Sequence, residues 1–186
     1  VLLNAAKVAV GIDYYRSDPQ QIRKRLEKNR ERFDELLPAL TRAIRFLADK
    51  CGVAGPRMLP YDPQLVLLTE AARARGADLD GEVAARLVRW FWRTTYTEYF
   101  TGATNARLRR AVKHVTQLAE GGTDEAIADL DSRVDAIDAP RANSVRTIAF
   151  LLFLGAQKPC SLDGEVDAAR LLAVEPFATA GGSAAW

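Results

Sequence analysis

A chain of 186 residues, 48% hydrophobic and 27% charged, has the length of one domain and the balance of an ordinary soluble globular protein. Its net charge of +2 points to no class of partner, and two cysteines, Cys51 and Cys160, are too few for a disulfide framework or a zinc site. Each reads as a small buried hydrophobe in a reducing, cytoplasmic compartment.

Residues 1–11 place apolar side chains at helical spacing and stop near Gly11. VLLNAAKVAV has no basic region leading into an apolar segment and no cleavage site. The chain starts at Val1 and not at methionine, so a piece of a longer protein is expected. Ser17, Asp18 and Pro19 then form a helix start signal. From there Ile22, Leu26, Asn29, Phe33, Leu37, Leu40, Ile44, Leu47 and Cys51 repeat in alternating steps of four and three. The spacing predicts one long helix over 19–51, kinked near Pro38 and capped by Gly52.

Asp62 and Pro63 repeat the start signal, and LVLLTEAARAR runs to Gly76. Asp80 opens an aromatic helix. Thr104 opens another, with Leu108, Val112 and Val115 inward, closed by Gly121 and Gly122. Thr123 begins an acidic helix, and IAFLLFLGA at 148–156, too short to span a bilayer, belongs to a buried one at about 143–155. The expectation is an all-α, irregular multi-helix bundle of seven or eight helices, one domain over 1–175, with no strand. Residues 176–186 read as a flexible tail.

RLVRWFWRTTYTEYF at 86–100 carries six aromatic residues among arginines. On a helical wheel Val83, Leu87, Trp90, Phe91 and Thr94 share one side, and Arg86, Arg89 and Arg93 share a flank. Guanidinium–indole stacking at Trp90 is geometrically available. Apolar residues cover more than half the girth, which places this helix inside a bundle with a basic strip showing. Arg107, Arg109, Arg110 and Lys113 continue the basic run. Residues 83–119 hold seven basic side chains and one acid, Glu98, whereas 120–138 hold seven acids and only Arg133. Two readings stay open: a basic face presented to nucleic-acid phosphates, or an acidic helix folded back on the basic one across a short Gly-Gly turn.

His114 is the only histidine. A multi-histidine metal centre and an HNH-type nuclease centre are therefore excluded from these residues, and no phosphate-cradling glycine loop of the two common types occurs. Asp124, Asp131, Asp135 and Asp138 align on one helical face and read as a solvated surface. The residues themselves assign no catalytic, cofactor-binding or metal-ligating role.

Three stretches together, LPY at 59–61, RWFW at 89–92 and YFTGATN at 99–105, resemble the helical region of the GmrSD-type modification-dependent restriction endonucleases. A looser likeness continues through 146–168 into KPCSLDGEVD. In that family the helical region follows a ParB-like nucleotide-hydrolysing domain and often precedes an HNH nuclease. This chain departs on both sides, lacking polar nucleotide-binding motifs upstream and any histidine beyond His114. The resemblance implies a module of a DNA-defence protein that is inactive alone and takes no cofactor. Its expected partners are flanking domains, or DNA bound weakly and without sequence preference through Arg86, Arg89, Arg93, Arg107, Arg110 and Lys113. No membrane contact is expected. The alternative is a helical protein–protein scaffold that dimerises through the 19–51 seam.

Overall fold

The computed structural model describes residues 1–122 and 144–156, and the backbone of 160–161 and 164–165. Eight α-helices lie within these residues: α1 (Leu2–Ala9), α2 (Pro19–Lys28), α3 (Arg30–Asp34), α4 (Leu36–Cys51), α5 (Asp62–Arg75), α6 (Gly81–Tyr96), α7 (Asn105–Ala119) and α8 (Val145–Ala156). The fold is all-α. One departure is a two-residue antiparallel pair, Cys160–Ser161 with Gly164–Glu165. The acidic helix expected after Thr123 and the tail at 176–186 lie outside the described residues.

α5 is the central element, packed against α1, α4 and α7. No residue from Gln64 to Ala72 is exposed, and Val66, Leu68, Ala71 and Ala72 are fully buried. Burying a side chain such as Leu68 contributes about 1.5–3 kcal/mol. A helix with so little polar surface needs neighbours on every side. Two of its charges pair with each other: Arg73 makes a two-pronged bond to Glu70 at 2.7 and 2.8 Å and reaches Glu35 on the segment between α3 and α4 at 3.4 Å.

The long seam over 19–51 is divided. Pro38 has no N–H to offer the Asp34 carbonyl, so α3 and α4 are interrupted at Glu35, whose backbone stays helical (φ −73°, ψ −17°). The interruption falls three residues before Pro38, within one turn of the proline. A second break, at Asn29, was not expected. Its amide side chain donates to the Arg25 carbonyl at 2.8 Å, and its backbone leaves the helical region (φ −123°, ψ 43°). The seam faces only partly as its heptad spacing predicts. α4 buries Leu47 and Cys51 of the predicted stripe, but its other buried residues, Leu36, Ala39, Ala43 and Phe46, each precede a predicted position by one. Phe33, Leu37 and Ile44 are 40%, 57% and 50% exposed.

Start signals fare unevenly. Asp18 caps α2, accepting from the backbone N–H groups of Gln20 and Gln21, and Thr104 caps α7 through Arg107 N–H. Asp62 does not cap α5: it lies inside the first turn, and Tyr61 holds the cap position without a side-chain bond. Asp80 makes no side-chain cap for α6 and instead accepts from Arg75 at 3.3 Å. α8 is less buried than its composition suggests. Thr147, Ala149 and Leu152 face inward, while Phe150 and Phe153 are exposed. Among the described residues no helix is long and apolar enough to cross a membrane.

α4 ends on Gly52 at φ +73°, where a side chain would meet nothing within 4 Å. A Gly52→Ala substitution therefore isolates the backbone cost of the left-handed conformation. It should destabilise the chain by about 1–2 kcal/mol in denaturant melts.

Candidate nucleic-acid interface

The aromatic side of α6 is core. Trp90 is 2% exposed and Leu87 and Phe91 are fully buried, beside Val83, Ala84, Thr94 and Thr95. Gln64 of α5 holds this helix in register. Its Nε2 donates toward the Phe91 carbonyl and the Thr94 and Thr95 hydroxyls at 3.2, 3.0 and 2.9 Å. Both threonine hydroxyls in turn donate to the Phe91 carbonyl. Gln64 Oε1 is buried without a partner. Trp92 turns to the opposite flank, half-buried and stacked on Tyr96 at 5.7 Å, and burial pushes the Tyr96 hydroxyl above its ordinary pKa.

The three stretches that carry the family resemblance meet at one end of α6. Tyr61 of the LPY turn hydrogen-bonds Thr101 Oγ1 at 2.8 Å and packs on Phe100, ring centroids 5.7 Å apart. Phe100 reaches Trp90 at 6.2 Å and Tyr99 at 5.0 Å. Leu59 and Pro60 are buried below. Glu98, the one acid of the basic run, adopts φ +50°, uncommon for a residue with a side chain. Its carboxylate accepts from Arg146 of α8 at 2.8 Å. The sequence offered no signal for this pair, because 48 residues separate its members.

The six candidate cations differ in setting. Arg86 is mostly covered and lies 3.6 Å from Glu82, with its Nε buried and unsatisfied. Arg89 is exposed and Arg93 half-buried. Arg107 is exposed, donates to the Tyr99 carbonyl at 3.3 Å and lies over the Tyr99 ring at 5.6 Å. A guanidinium–aromatic contact thus occurs one loop beyond the Trp90 position where it was expected. Arg110 and Lys113 are exposed, with no ion pair among the described residues. At 3.6 residues per turn Arg107, Arg110 and Lys113 spread over about 120° of α7. Lys113 borders a groove that also takes in Val8, Asp13 and Tyr14. Arg109, not among the six, is neutralised by Asp13 at 2.5 Å, tying α7 to the loop after α1.

Two candidates for chemistry among the described residues are a cysteine and the acidic side chains. Cys51 is buried, and burial pushes its thiol up to about 12, far from the thiolate a nucleophile needs. Among the described residues no three His, Cys, Asp or Glu side chains group as metal ligands. The aspartates at 124, 131, 135 and 138, and with them the proposed pairing of acidic and basic helices, lie outside the described residues.

A Gln64→Glu substitution should expose how much α6 depends on that amide. A carboxylate there would lose the amide's donated bonds and sit desolvated against the Phe91 carbonyl, so its folded-state pKa would rise above the unfolded value. The penalty is then full above the folded pKa and shrinks as pH falls through it. Denaturant melts should show a loss of about 3 kcal/mol at neutral pH and a smaller loss at mildly acidic pH.

Comparison of the chain with models of known protein families, with curated proteins and with solved structures gives no match.

Proposed function

We propose that this chain is a non-catalytic helical module of a GmrSD-like DNA-defence protein of the cytoplasm. It links or regulates catalytic domains and contacts DNA through its exposed cations. The observation that carries the reading is the meeting of LPY, RWFW and YFTG in one aromatic cluster, which makes the three separated stretches a single structural unit. Exposed Arg89, Arg107, Arg110 and Lys113 supply the phosphate contacts. Such contacts give weak binding that ignores sequence and weakens steeply with salt as counterions are released. Fluorescence anisotropy on duplex DNA at several salt concentrations should show that behaviour. Replacing Arg89 and Arg110 together with alanine should flatten the slope of log affinity against log salt by up to about two. An unchanged slope, or no binding at low salt, would overturn the DNA contact.

A second reading, a dimerising scaffold, is favoured by the exposed Phe33, Leu37 and Ile44 at heptad-like spacing on α3 and α4. On that reading sedimentation equilibrium should give a dimer that Leu37→Glu converts to monomer without unfolding.

A further inference from the structure

α1, the loop that follows it and α2 enclose a cleft of about 700 Å³. Its walls are mainly apolar, built from Leu3, Tyr14, Pro19, Ile22 and Leu26. Lys7 also lines it and is only 5% exposed. The ammonium donates to the backbone carbonyls of Tyr14 and Arg16, the latter at 3.1 Å, and lies 5.8 Å from the Tyr14 ring centroid. Both acceptors are neutral, so two of its three donors are used and its charge is not balanced by either. Among the described residues no carboxylate forms an ion pair with it. Burial accordingly pushes its pKa down from the ordinary lysine value. Arg16 and Arg23 add positive charge to the lining, and Glu27, the one acid there, is taken up by Arg23 at 2.8 Å.

A buried cation without a counter-charge is costly, and a ligand that brings the missing anion lowers that cost. An apolar cleft of this size with one convergent charged group has the anatomy of a small-molecule site. We propose that the cleft binds an aliphatic carboxylate whose head group meets the Lys7 ammonium and whose chain lies along Ile22 and Leu26. The cation selects the head group through a charge-assisted hydrogen bond, and the walls take the hydrocarbon. This site is independent of any DNA contact, since none of the six candidate cations lines it.

Isothermal titration of the whole chain with dodecanoate, below its micelle concentration, tests the site. One molecule should bind per chain. Dodecanol should bind at least about tenfold more weakly, and Lys7→Met should weaken dodecanoate binding by a similar factor. Leu26→Trp keeps Lys7 but fills the cleft, and should abolish binding with the melting temperature retained. If Lys7→Met does not fold, Leu26→Trp and the head-group comparison decide. No saturable binding by the native chain would overturn the proposal. So would equal affinity for dodecanol, or undiminished binding by Leu26→Trp.

Discussion

Everything else in the fold is arranged around the burial of α5. From Gln64 to Ala72 this helix turns no residue to solvent, and α1, α4 and α7 each cover part of its circumference. Small residues permit the close approach: Ala71 and Ala72 on α5, Ala39 and Ala43 on α4, and Ala111 on α7 are all buried. Larger side chains at these positions would push the neighbours outward and open voids that cost as much as the burial gains. α6 packs on α7, α4 and α8 and is tied to α5 by hydrogen bonds. Gln64 is a polar group in an apolar setting, so the Phe91 carbonyl and two threonine hydroxyls must lie where they can satisfy its amide. That requirement sets the register of the aromatic helix against the core.

The arginines have a structural use that their number alone conceals. Arg32 donates to the carbonyl of Ala9 at the end of α1, Arg42 to Ala72 in the last turn of α5, and Arg75 to Ala119 at the end of α7. Each cation meets the C-terminal end of a helix, where the carbonyls carry partial negative charge; the Ala72 carbonyl also accepts from Gly76 N–H at 3.1 Å. Arginine suits the task because its fork presents several donors on a long stem and never loses its charge. Part of the basic content therefore belongs to the scaffold. Other cations, Arg107, Arg110 and Lys113 among them, are exposed on α7.

The two surface readings are drawn from different parts of the molecule. The exposed cations are on α6 and α7, and the exposed apolar stripe is on α3 and α4. The lysine-lined cleft between α1 and α2 is a third feature, distinguished by burial. Its lysine is largely covered by the protein, whereas Arg110 and Lys113 are exposed.

Local chemistry was legible along the chain: all-α class, the glycine stops at Gly52 and Gly76, the caps Asp18 and Thr104, and the interruption by Pro38 all follow from single residues and their immediate neighbours. The inward face of α6 was legible too, because Trp90, Phe91 and Leu87 crowd one side of a helix at 100° per residue. What the sequence could not decide was which of two apolar stripes on α4 would be buried. Leu37 and Ile44 are as hydrophobic as Leu36 and Phe46, and only the position of the neighbouring helices chooses between them. Nor did it reveal Gln64 under Phe91, Arg146 on Glu98, or Lys7 on the Tyr14 carbonyl. Helix periodicity records which residues share a face. A polar contact between elements depends on where two helices cross, and that is settled by the packing of the whole core.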